Sequence, residues 1–325
     1  EPVERLVSQG TVLYDGTKMS TSDGNVVSPQ EYGAETTRLF VLSAAHPEQD
    51  FEWTANDVGA AYDLQQTLYG MATEFVQSLS VRAKRRDHDA YVDREIDRTI
   101  VTAGEEYERF RFHRAFSEIQ RLLGVLRRYR EYDTPHEGVY RRGLRTLSAL
   151  LAPMAPHLGE ELWNKVGDDG LVVEADWPDP LEAVDDPRVE RRLVETTRED
   201  VRDIVDVVDI DDPERIELVV AEEWKYRVYD LLKTSEPDAD VVSMALEDDA
   251  VDADEEAVAD FTAGLLDRRE GLDPVVDADR ELETLERARW LLEDEFGAAV
   301  TVSRRPTGDD LTGKARPGKP AIHIS

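Results

Sequence analysis

Through residues 55–163 the chain repeats apolar side chains at three- and four-residue spacing. Only an α-helix keeps such positions on one buried face. Tyr62, Gln65, Leu68, Tyr69, Ala72 and Val76 mark the first stripe. A second helix is expected over 94–110. A third, over about 112–129, carries Phe116, Ile119, Leu122, Leu123 and Leu126. Thr134-Pro135 opens a fourth with Val139, Leu144, Leu147, Leu150 and Leu151; Pro153 and Pro156 break it. A short fifth over 157–166 stops at Gly167. Helices of this length with short connections form an antiparallel bundle.

The flanks read differently. Residues 10–14 predict a short strand turning at Asp15-Gly16. Ser28-Pro29-Gln30-Glu31 is a capping-box start, interrupted by Gly33, and a buried helix over 34–44 carries Leu39, Phe40 and Leu42. His46-Pro47 ends it, Phe51-Glu52-Trp53 reads as an aromatic hinge, and Thr54 with Asp57 offers another cap. A linker is expected from Trp177-Pro178-Asp179-Pro180 to Asp185-Asp186-Pro187. Beyond it come helices over 188–208, 222–233, 255–266 and 280–295, and strands over 214–221, 300–302 and 321–324. Residues 241–246 fit either state. The fold class is mainly α. The expected domains are 1–54, a helical bundle over 55–178 and an acidic α+β domain with a basic tail over 179–325.

The net charge is −33, yet 40% of the 325 residues are hydrophobic, so the chain has enough apolar side chain for real cores. Seven of the 39 basic residues are Lys. An acidic, Lys-poor, globular composition suits a salt-loaded cytoplasm, where the Debye length falls to about 3 Å or less and self-repulsion is screened. There are no cysteines, which excludes disulfides and Cys-ligated zinc. No apolar run approaches the length of a membrane span. The charge is uneven. Residues 182–300 hold 14 basic and 39 acidic side chains, residues 82–150 hold 16 and 12, and residues 301–325 hold 5 and 2. Two basic islands in so acidic a chain point to nucleic acid, whose phosphates dominate affinity.

The chemistry concentrates in Lys18-Met19-Ser20-Thr21-Ser22-Asp23-Gly24-Asn25-Val26-Val27. One compact cation, two alternating hydroxyls and a flexible Gly-Asn pair suit a polyphosphate. The string resembles the K-M-S-K-S loop of class I aminoacyl-tRNA synthetases, and Glu31-Tyr32-Gly33-Ala34-Glu35-Thr36-Thr37-Arg38-Leu39-Phe40 resembles the helix that follows it there. Ala44-Ala45-His46-Pro47-Glu48-Gln49-Asp50-Phe51-Glu52-Trp53-Thr54 is similar to the next segment of archaeal-type leucyl-tRNA synthetases. So are the helix break from Leu151 to Trp163, the segment Ala221-Glu222-Glu223-Trp224-Lys225-Tyr226, and the segment Pro317-Gly318-Lys319-Pro320-Ala321-Ile322.

The resemblance implies the end of a class I catalytic domain, an anticodon-binding-like bundle and a tRNA-gripping C-terminal domain, from a halophile. It implies ATP with Mg2+, held at Lys18, Met19, Ser20, Thr21, Ser22, Gly24 and Asn25. Lys18, Ser20 and Ser22 take the catalytic roles, and Gly24 and Asn25 let the loop open and close. It implies tRNA(Leu) as partner, with leucine and ATP bound through an N-terminal half outside this sequence. A cytoplasmic monomer with neither DNA nor membrane as partner is expected. The chain starts at Glu1-Pro2 without Met and reads as the C-terminal part of something longer. The family usually has Lys where Thr21 stands, and often where Asp23 stands. A non-catalytic tRNA-binding paralogue or split subunit, and an isoleucyl- or valyl-type enzyme, therefore stay open.

The tRNA candidates are Arg121, Arg127, Arg128, Arg130, Arg141, Arg142 and Arg145 in the bundle, and Arg304, Arg305, Lys314, Arg316 and Lys319 in the tail. Phosphate contacts of this kind position RNA without reading its sequence. The bundle set could instead pair with acids such as Glu131 and Glu137, and the tail could be a disordered solubilising segment. His157 with Glu160 and Glu161 reads as a helix start, the acidic run 248–256 as a solvated surface and Trp224 as core, and no metal site is expected.

Overall fold

The computed structural model describes residues 6, 8–167, 169–184, 186–208, 210, 212–305 and 311–325. The chain forms two compact units, Glu1–Asp185 and Asp186–Ser325.

The first unit opens with a hairpin of β1 (Val12–Tyr14) and β2 (Thr17–Lys18), paired Leu13 to Lys18. Asp15 and Gly16 both take positive φ, 51° and 72°, as a two-residue turn matched to strand twist requires. A four-residue helix, α1 (Pro29–Tyr32), is cut from α2 (Ala34–Ser43) by Gly33 at φ 85°. Residues 51–53 are not a hinge. Phe51–Glu52 forms β3, parallel to β1 with Val12 opposite Phe51, because the amides of Phe51 and Trp53 find the carbonyls of Thr11 and Leu13. Phe40 of α2 packs edge-on against both Phe51 and Trp53.

The bundle follows as α3 (Ala55–Gln77), α4 (Asp87–Glu108), α5 (Phe112–Tyr132), α6 (Glu137–Leu151) and α7 (Pro156–Lys165). Thr54 caps α3 by accepting the Asp57 amide and donating to the Asp57 carboxylate. The buried face of α3 is Val58, Ala61, Gln65, Leu68, Ala72 and Phe75, while Tyr62, Tyr69 and Val76 are exposed. The expected stripe thus mixes two faces. Tyr69 stays outside because its ring takes the Lys165 ammonium 4.5 Å from its centroid. Helix α4 begins seven residues before the expected start, because Asp89 closes a capping box with the Arg86 backbone. Helices α5 and α6 approach closely at Gly143, where a Cβ would stand 2.7 Å from Leu126 Cδ2. The expected linker is pinned along α4. Asp97 accepts the amides of Leu181 and Glu182 at 2.9 and 3.2 Å, and the rings of Trp177 and Tyr107 meet at 5.7 Å.

The second unit comprises α8 (Pro187–Val208), β4 (Arg215–Val219), α9 (Glu223–Thr234), α10 (Val241–Leu246), α11 (Glu255–Leu266), α12 (Ala278–Ala288), α13 (Trp290–Phe296), β5 (Ala299–Ser303), α14 (Leu311–Lys314) and β6 (Ala321–Ile324). The sheet runs β5-β4-β6, with β5 parallel and β6 antiparallel to β4. Ile216, Leu218 and Val300 bury against Val201 and Leu292. Trp224, Val228, Leu232, Val241, Val258 and Leu265 build a second core among α9, α10 and α11. The helix expected over 280–295 is two, broken at Arg289, and residues 241–246 are helical, capped by Asp240. The tail returns to the sheet as β6 rather than forming a solubilising extension.

Candidate functional site

The loop from Lys18 to Asn25 leaves the hairpin at β2 and is closed by one side chain. Asn25 Oδ1 accepts the Ser20 amide at 2.7 Å, and Asn25 Nδ2 donates to the Lys18 carbonyl at 3.1 Å and Thr17 Oγ1 at 3.0 Å. Inside that clasp Ser20 Oγ and Ser22 Oγ lie 2.6 Å apart, and the Asp23 amide returns to the Ser20 carbonyl at 3.2 Å. Gly24 takes φ 71°, a turn a Cβ would strain. Met19 is half-buried; Lys18, Thr21, Ser22 and Asp23 are exposed. Lys18 forms no ion pair with any described residue. The arrangement offers one solvated ammonium and two adjacent hydroxyls beside a tight turn. That donor set fits a polyphosphate. Asn25 thereby clasps the turn in this conformation. The hairpin is fixed from β3: Glu52 Oε1 accepts the Gly16 amide at 3.1 Å, and Asp50 Oδ1 accepts the Thr11 amide at 2.6 Å. Those two acids carry no local signal, since their partners lie nearly forty residues away.

Glu35, at the start of α2, ties the segment after the loop to the bundle. Its carboxylate pairs with His157 Nδ1 at 2.7 Å and accepts the Leu158 amide at 3.3 Å, so it satisfies a free N–H in the first turn of α7. His157 is a helix-start group with its ring mostly in solvent. Among the described residues no group of three or more His, Cys, Asp or Glu could hold a metal.

The bundle cations divide. Arg142 turns inward, bonding the Asp93 carboxylate at 3.2 Å and pairing with Asp97. Arg130 pairs with Glu74 at 2.6 Å. Arg141 bonds Glu137 at 3.0 Å and the Val166 carbonyl at 2.5 Å, and stands over the Phe75 ring. Arg145 stacks over Trp163 at 4.6 Å. Arg121, Arg127, Arg141 and Arg145 keep exposed surface, and Arg128 and Arg130 are half-buried. In the tail, Arg304 pairs with Asp279 and stands apart from Lys314, Arg316 and Lys319, which share one groove. Arg305 is exposed. Arg268 joins that groove from the turn after α11, a position with no basic neighbours but Arg269 to mark it.

Beneath the bundle surface lies a buried node. Asp89 accepts from Arg82 at 2.5 Å, from the Tyr129 hydroxyl at 2.5 Å and from the Arg86 amide at 2.8 Å. Burial alone would raise this carboxyl, but those donors outweigh it and hold it at about 2. Tyr129 also accepts the His136 amide at 2.8 Å, joining α4, α5 and the entry to α6.

Residues 89–225 match the family described as the anticodon-binding domain of tRNA ligase. The leucine–tRNA ligase of Halobacterium salinarum is 38% identical over 330 residues, covering 100% of this chain and 37% of that protein. That of Pyrococcus horikoshii is 29% identical over 98% of this chain and 34% of its own length. That of Coxiella burnetii is 34% identical over 55% of this chain and 24% of its own length. A LeuRS of Agrobacterium radiobacter K84, crystallised as a ternary complex with tRNA and LeuAMS, is 27% identical over 53% of this chain and 23% of that chain, with a TM-score of 0.47. The chain thus spans about a third of the length of the archaeal relatives it matches from end to end. Along its whole sequence, with a match to the anticodon-binding domain of tRNA ligase at its centre, the chain is similar to the C-terminal part of leucine–tRNA ligases.

Proposed function

We propose that this chain supplies the ATP-gripping loop and the tRNA-binding region of a leucine–tRNA ligase. The reaction has two steps. The leucine carboxylate attacks the ATP α-phosphate, giving leucyl-adenylate and releasing pyrophosphate; the terminal ribose hydroxyl of tRNA(Leu) then attacks the leucyl carbonyl and takes the leucyl group, releasing AMP. Such chemistry depends on positioning and charge stabilisation rather than on a protein nucleophile. Lys18 offsets phosphate charge, Ser20 and Ser22 donate hydrogen bonds, and the backbone at Met19, Thr21, Gly24 and Asn25 shapes the loop. Mg2+ would arrive with the nucleotide and would offset phosphate charge beside Lys18. The observation that carries the reading is the Asn25 clasp, which presents one unpaired ammonium and two hydroxyls on a tight turn.

The exposed bundle arginines and the tail cations position tRNA by phosphate contacts. The acidic remainder suits high salt, so the fold is expected to gain structure by circular dichroism as KCl rises. The test is aminoacylation by a ligase carrying this segment, on separated tRNA(Leu), tRNA(Ile) and tRNA(Val). Charging of tRNA(Leu) alone supports the proposal; charging of another supports an isoleucyl- or valyl-type enzyme. A non-catalytic tRNA-binding subunit is the second reading, favoured by the exposed Asp23, which cancels the charge of Lys18 within the loop.

A further inference from the structure

Two stretches some ninety residues apart in sequence meet inside the second unit. Lys225 of α9 is buried, and its Nζ donates to the carbonyls of Ala315 and Gly313 at 3.0 and 3.4 Å. Glu281 of α12 is fully buried, and its Oε2 accepts the Gly318 amide at 2.7 Å. Its other oxygen has no hydrogen-bond partner, and burial pushes the carboxyl up to about 7. Between these anchors Arg316 and Lys319 close a turn through paired backbone bonds of 3.0 and 2.9 Å, with Gly318 at φ 72°. Burying an amine and a carboxyl is costly, and apolar residues would hold a plain core at least as well. Each group nonetheless bonds the backbone of the same segment, Lys225 at Gly313 and Ala315 and Glu281 at Gly318. The outward side chains of that segment, Lys314, Arg316 and Lys319, line one groove of about 650 Å³ with Arg268, facing Asp200, Asp203, Val207 and Val208 of α8, and Lys319 Nζ lies 3.4 Å from the Asp200 carboxylate, a pair that a phosphate would have to displace.

We propose that Lys225 and Glu281 are positioning residues, which clamp the 313–319 backbone from inside so that Lys314, Arg316, Lys319 and Arg268 act as one phosphate-binding surface. The inference rests on the reading that this segment contacts tRNA. It assigns a role to two residues that never reach the RNA, and adds Arg268 to the surface.

The test titrates the full chain with a fluorescent tRNA(Leu) transcript at a series of KCl concentrations, reading affinity and the slope of log K against log salt. Each phosphate that the protein no longer neutralises reduces the slope by roughly 0.7–0.9. Replacing Arg316 and Lys319 together by Ala removes two cations and is expected to flatten the slope by about 1.5. Arg268→Ala is expected to flatten it by about half as much; no change with Arg268→Ala would remove that residue from the surface and overturn the four-cation assignment. Glu281→Leu and Lys225→Met are expected to flatten the slope like the double variant while circular dichroism is retained. Glu281→Gln, whose amide oxygen still accepts the Gly318 N–H, is expected to keep the parent slope. Gly318→Ala strains the turn at φ 72° and crowds Val275 Cγ1 at 2.8 Å without removing either buried charge, and serves where the buried variants fail to fold. An unchanged slope in Glu281→Leu, Lys225→Met or Gly318→Ala, beside a flattened one in the double variant, overturns the clamp. So does a loss in Glu281→Gln equal to that in Glu281→Leu. An unchanged double variant instead overturns the tRNA binding on which the clamp rests.

Discussion

The Asn25 carboxamide oxygen accepts the Ser20 amide at 2.7 Å, and this bond with its two companions sets the shape of the loop that bears Lys18. A side chain seven residues downstream of the lysine thereby controls where the lysine's backbone sits.

Asn25→Ala removes all three bonds and leaves the Ser20 amide to solvent. In a ligase carrying this segment, ATP–pyrophosphate exchange is expected to fall by about 10²-fold, the scale of a 1 Å misplacement. Asn25→Asp keeps the acceptor for Ser20 but loses the donor to the Lys18 carbonyl, so an intermediate loss is expected. Equal rates for the parent and Asn25→Ala would show that the clasp has no part in activation.

The Arg82–Asp89–Tyr129 node sets the acid stability of the bundle. Asp89 is held at about 2 against an ordinary 3.8, so its stabilisation is full above pH 4 and is lost as pH falls through 2. The contribution is about 2 kcal/mol. His88 beside it is shifted down from 6.5, chiefly by burial, so the unfolded chain takes that proton first. Stability therefore begins to fall as pH drops below about 6.5, before the Asp89 phase. Urea unfolding between pH 8 and 2 is expected to show both losses. Asp89→Asn leaves Arg82 its longer pair with Asp133 at 3.6 Å, so the loss is expected at about 3 kcal/mol, the low end for breaking a buried pair, with the lower-pH phase abolished.

Those elements were legible whose stabilising partners are near in sequence. The Asp15-Gly16 turn, the Thr54–Asp57 cap, the Gly33 break and the stop at Gly167 each depend on residues within a few positions. The strand at Phe51 was not, because its partner β1 lies some forty residues earlier and two residues carry no period. Half of the expected α3 stripe is buried, Gln65 with its bond to Thr36 beside Leu68 and Ala72, but Tyr62, Tyr69 and Val76 are apolar yet exposed, which apolar spacing alone does not reveal. In the 18–25 loop the cation, the hydroxyls and the Gly24 turn are written in the local sequence, whereas the clasp by Asn25 exists only once the loop has closed. Arg142 looked like part of a basic face; its acids Asp93 and Asp97 belong to another helix, and only folding brings the charges together.

Glu35 couples α2 to α7 through the Leu158 amide. Glu35→Ala leaves that N–H without its acceptor and is expected to cost about 1 kcal/mol, the usual scale for removing a helix cap. Faster amide exchange should be confined to the first turn of α7. Glu35→Gln retains an acceptor and is expected to protect that turn; uniform exchange across all variants would count against the coupling.

Thr21→Lys with Asp23→Lys restores the cations usual in related loops. If Lys18 suffices for the phosphate, activation rates in a ligase carrying this segment should change by less than about threefold. A gain approaching 10²–10³, the scale of one donor aimed at developing charge, would mean that the present loop is impaired.

The most direct measurement is the activation rate of Lys18→Ala in a ligase carrying this segment, with leucine saturating and ATP varied. A fall of about 10²–10³ in kcat/KM for ATP is expected, with binding of tRNA(Leu) preserved. An unchanged kcat/KM would show that Lys18 has no part in activation.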